Sequence, residues 1–86
     1  MIFEKSTRKG KKYMVMYNNK KIHFGDSNMD QYKDSTGLGI YSNKNHLDKK
    51  RQASYLARAK GIRNKNGEYT WKDKSSANYY SVKYLW

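Results

Sequence analysis

The chain has 86 residues, of which 36% are hydrophobic and nine are tyrosine, a length that allows one domain burying only about two-thirds of the surface its unfolded form exposes. Nineteen Lys and Arg against seven Asp and Glu give a net charge of +12, which opposes compaction unless an anion neutralises it, nucleic acid being the first candidate and an anionic membrane surface the second. The absence of cysteine excludes a disulfide framework and a thiolate metal site, and no apolar run approaches the ~20 residues of a membrane-spanning helix.

Residues 1–11 read as a basic arm, with the charge run KSTRKGKK over residues 5–12 leading into the first strand. The opening MIFEKSTRKGKK lacks the ~7–15-residue apolar stretch of a signal peptide, so an intracellular protein is expected. KYMVMYNNKKIHF, residues 12–24, holds two alternating runs around Asn18-Asn19, a pair that tolerates the left-handed backbone of a two-residue hairpin turn. That turn sets Tyr17 opposite Lys20, Val15 opposite Ile22 and Tyr13 opposite Phe24. Val15, Ile22, Tyr13 and Phe24 then share one face as cross-strand pairs with Tyr17 beside them, and Met14, Met16, Lys21 and His23 occupy the other. Gly25-Asp26 ends the second strand. From Ser27 to Asn45 the chain is polar, with two glycines in TGLG, and reads as a long irregular segment pinned by Tyr32, Leu38, Ile40 and Tyr41.

HLDKKRQASYLARAKG, residues 46–61, predicts a helix of about four turns over 46–60, with Asn45 as N-cap, Asp48 in the first turn and Gly61 as the stop. Tyr55, Leu56 and Ala59 form a narrow apolar seam flanked by Gln52 and Leu47, suited to lie on the hairpin. Lys50, Arg51, Ser54 and Arg58 line one flank of that seam, and Lys49, Ala53 and Lys60 the other. IRNKNGEYTW centres on Asn66-Gly67, a hairpin signal that pairs Lys65 with Glu68 and Ile62 with Trp71; a simple exposed turn is the alternative. In SSANYYSVKYLW, alternation suits a strand, whereas Ser76 as a cap with Tyr80 and Tyr84 four apart suits a short helix, the preferred reading. Leu85-Trp86 is expected to dock. The elements predict one small α+β domain over residues 12–86: an N-terminal β-hairpin packed on one central helix, then a C-terminal hairpin or turn and a short aromatic helix.

Catalytic signals are poor. His23 and His46 lie in different elements with no ligand at metal spacing, so no metal site and no cofactor are expected. Gly39-Ile40-Tyr41 matches the triplet that opens one nuclease family, but no Tyr-Ile-Gly follows about ten residues on. Asp26, Asp30 and Asp34 recur every fourth residue, which on a helix would align carboxylates for a cation; their polar setting favours solvated loop acids. No Gly-rich phosphate loop and no Ser/His/Asp arrangement are visible, and the expected function is not enzymatic.

Nucleic-acid binding is better founded. Each Lys or Arg on a phosphate releases counterions, so Lys49, Lys50, Arg51 and Arg58, with Arg8, Lys9, Lys11 and Lys12 of the arm, would bind any sequence with strong salt dependence. If Trp71, Tyr79 or Tyr80 is exposed beside cations, single-stranded bases could stack there. A core so short of aliphatics needs its tyrosines, which favours their burial. A net charge of +12 nonetheless exceeds the about 2–8 that solubility asks of a small domain.

Lys12, Tyr13 and Val15, then Phe24, Gly25 and Asp26, then Gln31, Tyr32 and Asp34, then His46, Asp48, Arg51, Tyr55 and Arg58, and finally Leu85 and Trp86 form an ordered series. This series resembles a family of small, basic, largely uncharacterised proteins encoded by large double-stranded DNA viruses and some phages. In that pattern, a K-Y-x-V strand, a strand ending in F-G and a D-Y or Q-Y-x-D segment precede H-x-D-x-x-R-x-x-Y-x-x-R-H and a C-terminal aromatic stretch closing with L-W. The histidine after the last arginine is Ala59 here, which removes any chemistry tied to it. The resemblance implies a viral origin, a place in the virion or in the infected cell's cytoplasm or nucleus, and a non-enzymatic role. Two such roles fit: a nucleic-acid binder, or a minor capsid or cement protein bridging larger capsid subunits through the aromatic anchors Trp71, Tyr79, Tyr84 and Trp86.

Overall fold

A three-stranded antiparallel sheet in the order β1-β2-β3 is formed by β1 (Phe3–Lys5), β2 (Lys11–Tyr17) and β3 (Lys20–Asp26) in the computed structural model, which describes residues 2–86. The β2–β3 hairpin turns through Asn18 and Asn19 at φ 49° and 62°, the left-handed pair whose twist matches that of the strands. Its register is the expected one, with Tyr17 opposite Lys20, Val15 opposite Ile22 and Tyr13 opposite Phe24. Tyr13, Val15, Ile22 and Phe24 are accordingly buried together on one face.

The arm expected over residues 1–11 is not free along its length. Met1 lies outside the described residues, but Phe3 pairs with Val15 and Lys5 with Tyr13. The Phe3 ring packs at 4.5 Å from Tyr84 and 5.9 Å from Phe24, so one aromatic ring draws the chain onto the sheet edge. Ser6 to Gly10 then turn back into β2.

α2 (Ala77–Tyr84) covers the apolar face of the sheet. Ser76 caps it by accepting from the Asn78 N–H, as the spacing predicts. Tyr80, fully buried, sits 5.7 Å from Phe24, and Leu85 closes the core beyond the helix. Burying Leu85 contributes about 1.5–3 kcal/mol, and it depends on Gly25. At φ 78°, Gly25 presents no side chain, and a Cβ there would lie 2.8 Å from Leu85 Cδ1 and 3.2 Å from Lys12 Cβ.

The central helix α1 (Lys49–Ala59) is shorter than 46–60, and its seam faces α2 and the C-terminal residues instead of the hairpin. Tyr55 stacks on Trp86 at 4.0 Å and 8°, Gln52 Nε2 donates to the Trp86 carbonyl at 2.7 Å, and Ala59 is buried. The seam is the expected one; its partner differs because Tyr80 and Leu85 occupy the apolar face of the sheet. The N-cap is Asp48, whose carboxylate accepts from the N–H groups of Lys50 and Arg51. Asn45 cannot serve, since its Oδ1 already accepts from Gln31 Nε2 at 2.8 Å and from the Asp34 N–H at 2.9 Å. Gly61 follows the helix without a left-handed backbone.

The segment between β3 and α1 is held mainly by polar contacts. Gln31, fully buried, donates to the Tyr41 carbonyl and to Asn45 Oδ1, both at 2.8 Å, and accepts from Lys12 Nζ. Lys12 Nζ also donates to the Met29 carbonyl at 2.7 Å. Tyr13 donates its hydroxyl to Asp34 and accepts from the Tyr41 N–H at 3.1 Å. Burial first, and the hydrogen bond to Asp34 second, push the Tyr13 phenol up to about 12. Of the expected pins, Tyr41 meets the Tyr13 ring edge-on at 5.4 Å and Tyr32 lies against His46, but Leu38 and Ile40 are exposed. The three regularly spaced acids do separate jobs: Asp26 accepts from the Asn28 N–H, Asp30 approaches Arg51, and Asp34 is part-buried under Tyr13.

After α1, Arg63 and Tyr69 form a single antiparallel bridge, and the Asn64 N–H donates to the Glu68 carbonyl. The register is therefore one residue away from a Lys65–Glu68 pairing, and the second arm turns into a 3-10 helix at Thr70–Lys72 instead of continuing as a strand.

Candidate nucleic-acid interface

Lys49, Lys50 and Arg51 fill the first turn of α1, Arg58 the last, and all four are exposed. The N-terminus of a helix carries partial positive charge, so cations there are unfavourable by about 0.3–1 kcal/mol each at the surface. Here three add to that end, offset by the Asp48 cap alone. Arg51 comes within 3.9 Å of Asp30, with each side chain about half exposed (52% and 48%), a pairing too loose to neutralise it. Lys49 Nζ rests 4.9 Å from the centre of the Tyr32 ring. Stability does not select such a turn, whereas a phosphate beside it would be drawn by every one of these charges.

The N-terminal cations divide. Arg8 and Lys9 are exposed in the β1–β2 turn, and Lys11 is half-buried where β2 starts. Arg8, Lys11 and Lys21 gather around His23, and burial together with these charges lowers its imidazole below the usual histidine value. Lys21 was not among the expected binding residues. Lys12 does not belong to any contact surface: it is 1% exposed and its ammonium is used by Gln31 and Met29. Burial, and then the Lys44 charge, lowers its pKa. The charge run of which it was read as part breaks at this residue because Gly25, across the sheet, leaves room for its stem.

The four aromatic anchors divide as well. Tyr84 packs on Phe3, and Trp86 is stacked on Tyr55 with His46 at 5.1 Å, so both are spent inside the molecule. Trp71 and Tyr79 are half-buried and line an open cleft of about 430 Å³ with Val82, Lys60, Lys72 and Lys83. The Lys60 and Lys72 ammoniums lie 5.0 and 5.2 Å from the centre of the Trp71 ring. Lys83 donates to the Tyr79 hydroxyl at 3.2 Å, which raises the Lys83 pKa. Asn78 fixes the walls: its Nδ2 donates to the Ala59 carbonyl at 2.8 Å and to Thr70 Oγ1 at 2.9 Å, joining α1, the 3-10 turn and α2. Lys72, Lys83 and Asn78 were missed by sequence reasoning, which read Lys60 only as a flank of the α1 seam. The i, i+4 spacing of Tyr79 and Lys83 and the Trp71-Lys72 neighbours carried the available signal.

Residues 1–36 match a family of unknown function (DUF5754), a segment that covers the sheet and the buried Lys12–Gln31 pair. No curated protein and no solved structure matches the chain. Among the described residues, no group of three or more His, Asp or Glu side chains is placed to hold a metal ion, and no helix is long and apolar enough to cross a membrane.

Proposed function

We propose that the chain is a non-enzymatic, virus-encoded basic module that binds nucleic-acid phosphates regardless of sequence through Lys49, Lys50, Arg51 and Arg58 of α1 and Arg8, Lys9 and Lys11 of the N-terminal segment. The observation that carries this reading is the first turn of α1, where three exposed cations add to the positive end of the helix and the Asp48 cap and a loose ion pair to Asp30 leave them under-compensated. The closest approach to a nucleophile–base pair, Ser6 Oγ and His23 Nδ1 at 2.7 Å, has only cations around the imidazole and no acid to orient it, which supports a binding role over a catalytic one. The order of sequence motifs supports the viral origin.

Binding to single- and double-stranded DNA across a salt series tests the proposal. Seven phosphate contacts on a duplex predict a log–log slope of about −6. Arg51→Glu with Arg58→Glu should flatten that slope by about 2 and weaken binding at least tenfold near physiological salt, with the far-ultraviolet spectrum unchanged. Unaltered affinity in the double variant would refute α1 as the binding face. The second reading, a minor capsid or cement protein, is favoured by Met16, Leu38, Ile40 and Leu47, large apolar side chains that stay exposed. It predicts DNA binding that vanishes at modest salt.

A further inference from the structure

The Trp71–Tyr79 cleft differs in kind from the face of α1. Its floor is aromatic and apolar, its rim carries three ammoniums, and no carboxylate lines it. Its walls come from three elements fastened together by Asn78, so the rings are held before any ligand arrives. The cation–aromatic contacts in the cleft contribute only about 0.5–1 kcal/mol each at exposed sites, and lysine stems are flexible. The ammoniums over Trp71 can therefore move aside at little cost and leave a ring face open between positive charges.

A duplex keeps its base faces stacked on one another and cannot seat one on the cleft floor, so its phosphates are not brought to the cleft rim. A single strand offers both, base faces and flanking phosphates in alternation. We propose that this cleft is a base-stacking site for single-stranded nucleic acid, with a base seated on Trp71 beside Tyr79 and its neighbouring phosphates held by Lys60, Lys72 and Lys83. The inference rests on the nucleic-acid reading above and adds to it a strand state and a second contact surface. An acidic protein segment is the other occupant that the charge would accept, and the same experiment separates the two.

The experiment uses the full chain with three ligands: oligo-dT, an abasic sugar–phosphate strand of equal length, and a duplex. Stacking is worth enough per base that oligo-dT should bind about tenfold or more tightly than the abasic strand and should quench tryptophan fluorescence. Trp71→Ala should bring oligo-dT down to the abasic level and leave duplex binding unchanged, the duplex arm also reporting that the variant is folded. Lys60→Gln with Lys83→Gln, which leave the aromatic floor intact, should flatten the oligo-dT salt slope by about 1.4 and leave the duplex slope unchanged. Equal affinity of the unaltered protein for oligo-dT and the abasic strand overturns the cleft proposal alone, and leaves an acidic protein segment as its occupant. Failure to bind any of the three overturns this proposal together with the reading on which it rests.

Discussion

Removing the Tyr13 hydroxyl should lower stability at neutral pH and flatten the loss of stability in alkali. Tyr13 is fully buried, donates to Asp34 and accepts from the Tyr41 N–H. Tyr13→Phe leaves a part-buried carboxylate and a backbone N–H each short of a partner, at about 2–3 kcal/mol. A domain of this length has roughly 4–13 kcal/mol in total, so the melting temperature should fall by roughly 10–20 °C. The alkaline limb follows from linkage. The phenol lies at about 12 in the fold against an ordinary 10.0, so its contribution, on the order of 3 kcal/mol, is intact below pH 10 and is lost as pH rises towards 12. By about pH 11, near half of it should be gone from the wild-type protein and nothing comparable from the Phe variant. Tyr55 and Tyr80, both raised by burial, titrate alike in the two proteins and cancel in the difference. Urea denaturation of both proteins at neutral pH, near pH 9 and near pH 11 measures it. A stability gap that stays constant from neutral pH to pH 11 would sink the reasoning, since the hydroxyl would then have no coupled ionisation.

Lys12→Met tests the opposite sign. Its folded pKa lies below the ordinary 10.5, so the unfolded state holds the proton longer and Lys12 adds stability as pH rises towards 10.5. The variant should lose that rise, and should cost about 1–3 kcal/mol at neutral pH by leaving Gln31 Oε1 and the Met29 carbonyl without their donor; an unchanged rise between neutral pH and 10 in parallel denaturation curves would count against it. Gly25→Ala should destabilise by about 2–4 kcal/mol, combining the left-handed backbone with a collision against Leu85. Gly37→Ala, at φ 86° with nothing within 4 Å of its Cβ, should show the backbone part alone, about 1 kcal/mol. Equal thermal shifts in the two alanine variants would mean that the Leu85 contact is not tight.

What could be read from the sequence followed local periodicity. The β2–β3 hairpin was legible because Asn18-Asn19 marks the turn and the alternation of Ile22 and Phe24 with Lys21 and His23 sets the register, and α2 because Ser76 and the Tyr80–Tyr84 spacing agree. β1 was not, since three residues give no period and Phe3 is recruited by rings distant in sequence. The start of α1 was misplaced because Asn45 and Asp48 have equal local claims as caps, and the claim of Asn45 is taken by Gln31 and Asp34. Which helix lies on the sheet was not local either; it turns on Gly25 admitting Leu85. Among the binding residues, exposure of the α1 cations could be read from their flanks, whereas the burial of Lys12 and the grouping of Lys60, Lys72 and Lys83 around two rings depend on tertiary contacts.

The two basic surfaces are different answers to one excess of charge. A chain with few aliphatics must place tyrosines in its core, as Tyr13 and Tyr80 show, and leaves some of its other aromatics where cations reach them. At Trp71 and Tyr79 the lysines lie over rings, which act as weak internal counter-partners. At the head of α1, Lys49 lies over Tyr32, while Lys50 and Arg51 are exposed to water. A polyanion would therefore act on folding as well as on binding. It would relieve repulsion that opposes the compact state, and by mass action it would stabilise the fold by about 2.7 kcal/mol at a hundredfold excess over its Kd. That increment is comparable to what the whole Tyr13–Asp34 contact supplies from within. The +12 charge thus weakens a small core in isolation while making its stability responsive to an anionic partner.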